Sequence, residues 1–189
     1  MLQWLASLFR PKTQCIPSAV LGQAVFAGHG DSACVEEDRR ALEALFEKVV
    51  VTRDAAPACG VLFLYATIDE RGAVVGSPTG LRDIIRDSGA WVVVVAHPNP
   101  PGHCFAACAP TGHGEANLVF VVDRKGSLLA EFLGALFREM RAGVPMPSAW
   151  VRLAPQNPRG TPAPAPETIF LCERGALVLP ESDRASQPA

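Results

Sequence analysis

The sequence predicts an α/β fold, a three-layer sandwich with a mainly parallel sheet and helices on both faces. Three observations lead there. Strand-like and helix-like segments alternate through the middle of the chain. Two segments, 61–66 (VLFLYA) and 91–96 (WVVVVA), are unbroken apolar runs of strand length, the pattern of strands buried on both faces. The helical segments each carry one apolar stripe, so each has one face to bury. A chain of 189 residues, 49% hydrophobic and 19% charged, can build one such core and hardly two.

Taken in order, residues 20–27 read as a strand that enters a loop at Gly28-His29-Gly30. Residues 36–49 read as a helix burying Leu42, Leu45, Phe46 and Val49, with Glu36, Glu37 and Asp38 at its positive end and Lys48 at its negative end. Val50 and Val51 start a short second strand. After the 61–66 strand, residues 68–75 form a small hairpin around Glu70-Arg71-Gly72. Ser77-Pro78-Thr79-Gly80 is a turn and cap for a short helix that buries Leu81, Ile84 and Ile85 and ends near Gly89. The four valines of 91–96 suit the centre of a sheet. Residues 117–122 (NLVFVV) are a further strand, and Ser127 is the expected N-cap of a helix that buries Leu128, Leu129, Phe132, Leu133, Leu136, Phe137 and Met140 and stops at Gly143. Trp150 follows as a core anchor. Residues 168–172 and 176–179 are expected to form a hairpin around Arg174-Gly175.

The organisation expected is an N-terminal amphipathic helix and linker (1–14), an α/β domain (15–154), a Pro-rich connector with a C-terminal hairpin (155–180) and a flexible tail (181–189). In the first segment Leu2, Trp4, Leu5, Leu8 and Phe9 give an apolar face, and Arg10 and Lys12 follow it. Two readings are open: docking on a protein surface, or peripheral membrane contact through Trp4, Leu5, Leu8 and Phe9. The charge of -2 argues against nucleic acid as a partner. Six cysteines without a CxxC pair, and no export signal, fit free thiols in the cytoplasm.

The order of elements over roughly residues 20–154 resembles the caspase-like fold, in particular its CHAT branch. The similar stretches are VFAGHGDSACVEEDRRALEALF, VLFLYATIDERGAVV, GLRDIIRDSGAWVVVVAHPN and ANLVFVVDRKGSLLAEFLGALFREMRAG. The resemblance implies a bacterial α/β domain with a catalytic His after the second of these strands and a nucleophilic Cys after the third. This chain has Ala66-Thr67 at the first place and Ala96-His97-Pro98 at the second. A thiolate–imidazole pair cannot form from those groups. The resemblance therefore implies a degenerate site and a pseudoenzyme.

Two constellations remain. Residues 97–113 (HPNPPGHCFAACAPTGH) hold three of the four histidines and two of the six cysteines. They read as a Pro/Gly-rich loop with Cys104, Phe105 and Cys108 packed inward. Alternatively, Cys104, Cys108 and His113 with His97 or His103 can ligate zinc, or His97, His103 or His113 can pair with Cys104 or Cys108 in catalysis. Asp123, Arg124 and Lys125 lie between a strand and a helix, where a helix N-terminus and two cations can bind an anion. No Walker loop, nucleophile elbow or dinucleotide fingerprint is present. The expectation is a catalytically inactive caspase-like module that binds or regulates a protein or peptide partner, without a cofactor. The alternatives are a small cysteine hydrolase and a zinc-stabilised binding domain.

Overall fold

In the computed structural model, which describes residues 13–17, 23–28 (backbone alone for 23–27), 30, 32–53, 56–108, 115–153 and 165–180, the two longest apolar runs lie at the centre of a six-stranded sheet. In chain order its strands are β2 (Gln23–Gly28), β3 (Lys48–Val51), β4 (Val61–Tyr65), β5 (Val92–Val95), β6 (Asn117–Asp123) and β7 (Glu167–Cys172). Their order across the sheet is β3-β2-β4-β5-β6-β7; the first five are parallel and β7 is antiparallel to β6. Every residue of β4 and β5 is buried, as continuous apolar runs require. Among the described residues, no helix is long and apolar enough to cross a membrane.

Alternation along the strands divides the core between two faces. Val61, Phe63, Tyr65, Val92, Val94, Val119 and Val121 meet the helices α1 (Ser32–Leu42), α4 (Leu128–Arg141) and α5 (Met146–Leu153). Leu62, Leu64, Val93, Val95, Leu118 and Phe120 meet α2 (Leu81–Ser88), α3 (Pro101–Ala107) and the Ile68–Val74 bridge. Of the stripe read on α4, Leu129, Leu133, Leu136, Phe137 and Met140 are at 0% exposure, while Leu128 and Phe132 are half-buried at its margin. Trp150 packs as an anchor: its ring stacks on Phe170 at 4.9 Å and meets Phe132 edge-on.

Several expectations are corrected. The first helix begins one turn earlier than expected and stops at Leu42; Lys48 and Val49 belong to β3, because β-branched Val49, Val50 and Val51 pair with β2. Glu36, Glu37 and Asp38 therefore lie in mid-helix, away from its positive end. Ser127 makes no capping bond; its hydroxyl donates to Glu131 at 3.3 Å. The Pro/Gly-rich stretch after β5 contains α3, which begins with Pro101 at a position where proline needs no partner for its missing N–H.

The expected C-terminal hairpin does not form. β7 pairs with β6, while β8 (Leu177–Val178) pairs in parallel with β1 (Gln14–Cys15) in a separate two-stranded sheet. The buried Asn117 amide decides this. Its Nδ2 donates to the Gly175 carbonyl at 2.9 Å and its Oδ1 accepts from the Arg174 N–H at 3.0 Å, which folds the turn back over the start of β6. Leu177 and Leu179 then enter the α4 side of the core. Residues 167–179 are thus built into the same body as the strands before them.

Candidate functional site

The sheet places its open end where β2 and β4 part. From β2 the chain passes through α1 to β3 on one side, then returns to β4 on the other. In such doubly wound sheets a crevice forms beyond the carboxyl ends of the strands at this reversal. Here a cleft of about 450 Å³ occupies that place, lined by Gly28, Arg53, Leu64–Thr67, residues 74–79, Ile84, Asp87 and His97, with Ala56.

Close backbone approach sets its floor. Gly28 has φ 103°, and a Cβ there would lie 2.4 Å from the Tyr65 carbonyl oxygen. A Cβ on Gly30 would lie 2.7 Å from the Tyr65 side chain. Both positions need glycine for the same reason: Tyr65 at the end of β4 presses against the chain leaving β2.

Beneath Tyr65 lies a buried polar network. Its hydroxyl donates to Asp38 Oδ2, and Arg124 donates to both Asp38 oxygens, at 2.8 and 3.0 Å. Arg124 also donates to the Ala96 carbonyl at 3.1 Å. Asp38 is fully buried and Arg124 is 8% exposed. Burial pulls Arg124 down, but the hydrogen bonds and charge of Asp38 more than offset it and leave its pKa raised. Burial, and then the charge of Asp38, push the Tyr65 phenol up, so it stays a donor. The network joins α1, the ends of β4 and β5, and the β6–α4 turn.

Asn99 is the second organiser, at 2% exposure. Its Oδ1 accepts the Ile68 N–H at 2.6 Å; its Nδ2 donates to the Ala66 and His97 carbonyls at 3.1 and 2.8 Å. The hairpin wall of the cleft is thereby tied to the segments that leave β4 and β5. Asp69 shapes the tip by accepting the Arg71 and Ala73 N–H groups, and Gly72, at φ 79°, packs on the α3 backbone at Ala106 and Ala107.

The expected site residues are dispersed. His97 lines the cleft. His103 is turned to the Ile68 carbonyl, 2.7 Å from Nδ1; a carbonyl only accepts, so Nδ1 carries the proton. Cys104 is fully buried on the α2–α3 side, its thiol donating to the Asn99 carbonyl at 3.7 Å. Phe105, expected inward, is 63% exposed; on a helix it points away from its neighbour Cys104. Burial, with Cys108 adding, pushes the Cys104 thiol up to about 11, and burial raises Cys108 as well. His113 lies outside the described residues, as do Trp4, Leu5, Leu8 and Phe9. Among the described residues no three His, Cys, Asp or Glu side chains are grouped to hold a metal ion. Purified without a metal-affinity tag, the protein is expected to carry less than about 0.1 equivalent of zinc by elemental analysis; a full equivalent, with unfolding on chelation, would show a ligand set completed by His113.

Of the three residues proposed for anion binding, Arg124 is buried on Asp38. Lys125 pairs with Asp123 and, at 3.3 Å, with Glu167. The turn is internally neutralised. No protein-family model matches this chain, and no curated protein matches it.

Asp38, Tyr65 and Asn99 escaped the sequence reading. Asp38 alone left a trace: Val35, Asp38, Leu42 and Leu45 share a helical face, so a carboxylate there had to be buried and paired.

Proposed function

We propose that this protein is a catalytically inactive, caspase-like α/β domain of the CHAT type. In this reading it is a three-layer sandwich that binds a protein or peptide partner at the cleft over β2, β4 and β5. One observation carries the proposal: an open cleft lined by Ala66, Thr67 and His97 stands at the places where the resemblance implies His and Cys. The strand order, five parallel strands and an antiparallel sixth with helices on both faces, fits the element order on which the resemblance rests.

The thiols support inactivity. A cysteine nucleophile needs a depressed pKa and an imidazole at hand. Cys59 is pushed up to about 12 and Cys104 to about 11, both chiefly by burial, so at neutral pH both are protonated. Cys104 gives its hydrogen bond to a backbone carbonyl, and the ring nitrogen Nδ1 of its neighbour His103 is engaged at Ile68.

Alkylation at pH 7 tests the reading. With iodoacetamide in excess and peptide mapping, Cys59 and Cys104 are expected to react slowly in the native protein. Their rates should climb with pH rather than level off below 8, because the thiolate forms only near the raised pKa. Rapid stoichiometric labelling of one cysteine, abolished by substituting His97 or His103, would establish a reactive pair and overturn the inactive reading.

A further inference from the structure

We infer that β3 pairs with the β3 of a second copy of this chain, antiparallel and about a two-fold axis at Val50, so that two sheets join into one. This goes beyond the proposed role of the cleft and does not depend on it. β3 is an edge of the six-stranded sheet, and among the described residues β2 is its only neighbour. An edge strand leaves its outward N–H and C=O groups open to another strand. This one is a valine run after Lys48, and Val51 is 52% exposed.

Symmetry and sequence together fix the register. Facing pairs in an antiparallel ladder alternate between hydrogen-bonded and non-hydrogen-bonded kinds. The two-fold axis must therefore pass through a residue that faces its own copy, because an axis between two pairs would make unlike neighbours equivalent. Centred on Lys48, the pairing sets two lysines against each other. Centred on Val49, it sets Lys48 against Val50 and Glu47 against Val51. Centred on Val51, it leaves only one pair within the two strands. Centred on Val50, it sets Val49 against Val51, Lys48 against Thr52 and Glu47 against Arg53. Only this last register puts valine on valine throughout the strands and opposite charges at both ends. Glu47 and Arg53 are both exposed, and among the described residues neither has an ion-pair partner. They share the parity of Val49, which packs on the α1 side of the core, so the charges meet on that side of the joined sheet. Asp31 and Asp54 lie outside the described residues, and the valine register is chosen without them. Lys48 acts as a guard: lysine on an edge strand discourages indiscriminate pairing, and here it bars the register centred on itself. Two-fold pairing uses the β3 edge of both copies, so association through it stops at the dimer. A seam this short buries less than the roughly 1,200 Å² of a stable complex, so the dimer is weak, with a dissociation constant of about 10–500 μM.

Sedimentation of the purified full chain over a range of concentrations tests this. The mass is expected to rise reversibly from 20.1 kDa toward twice that value. Val51→Lys, at an exposed position, should weaken the dimer by roughly tenfold or more and leave the thermal midpoint of the monomer unchanged. Arg53→Glu should weaken it by roughly fivefold, and adding Glu47→Arg to the same chain should restore it, because the swap rebuilds both pairs. The register has its own readout. Under mild oxidation with diamide, Val50→Cys should form a disulfide-linked dimer on non-reducing electrophoresis. Val49→Cys should do so only when mixed with Val51→Cys, and the unmodified chain, with its six cysteines, should not. A mass that stays at 20.1 kDa up to about 1 mM would overturn the inference. So would a dimer that is indifferent to Val51→Lys and to the charge swap, since another surface would then hold it. Crosslinking of Val49→Cys with itself would overturn the register centred on Val50.

Discussion

Arg124→Met is expected to cost the fold about 3–5 kcal/mol, because it leaves the Asp38 carboxylate buried without its counter-charge. The Asp38 side chain has no solvent exposure and that of Arg124 has 10%. Water therefore has little room to replace the two charged hydrogen bonds. The variant should also lose the tie to the Ala96 carbonyl that steadies the end of β5. Chemical denaturation at pH 7 reads the loss, which for a domain of this size corresponds to a fall in melting midpoint of roughly 10 °C or more. Asp38→Leu combined with Arg124→Met should recover much of the loss, since replacing both members of a buried pair by apolar groups is often close to neutral. A loss under about 1 kcal/mol in the single variant would mean that the network is hydrated and that the pair does not organise the site.

Asn99→Asp is expected to rival that effect, by roughly 2–4 kcal/mol, with a different signature. The amide donates to two carbonyls and accepts from one N–H, all with little or no solvent. A carboxylate keeps the acceptor but turns a second oxygen toward the Ala66 and His97 carbonyls, placing like partial charges together. Protonation restores a donor. The variant should be least stable at neutral pH and regain stability as pH falls below its raised pKa. Asn99→Ala, which has no such proton to gain, should be destabilised at all pH values by the unsatisfied Ile68 N–H and the two carbonyls. Hydrogen exchange separates a local effect from a global one: the 68–75 hairpin should lose protection first in both variants. Uniform loss across β4, β5 and β6 would show that Asn99 supports the whole core rather than the cleft wall.

Both networks bear on how much of this molecule can be read from its amino acids. β4, β5 and β6 were legible because strands with both faces covered need apolar residues at every position. Helix α4 was legible because seven apolar residues fall on one stripe over four turns. The hairpin read at 68–75 was legible from the turn residues Glu70-Arg71-Gly72, and Gly72 stands at φ 79° in a turn closed by the Ile68–Val74 bridge. These are local or periodic signals, and a sequence carries them directly.

The site was poorly legible because its members come from distant places. Asp38 and Arg124 are 86 positions apart, and Asn99 and Ile68 are 31 apart. The cluster of histidines and cysteines at 97–113 drew attention by composition, yet helical geometry sends Cys104 inward and His103 to a carbonyl across the turn. The basic pair Arg124-Lys125 looked like an anion cradle because the carboxylates that neutralise it stand at 38, 123 and 167.

By itself, then, the sequence determined the α/β class, the central strands and the one-sided helices. Tertiary structure decided the pairing of β8 with β1 instead of β7, the burial of the Asp38–Arg124 pair and the tie of the hairpin to Asn99. The physical reason is the same in each case. Periodicity and turn chemistry act between residues within one element, whereas a buried charge or amide is stabilised only by a partner that the fold brings to it, and no local pattern records where that partner lies.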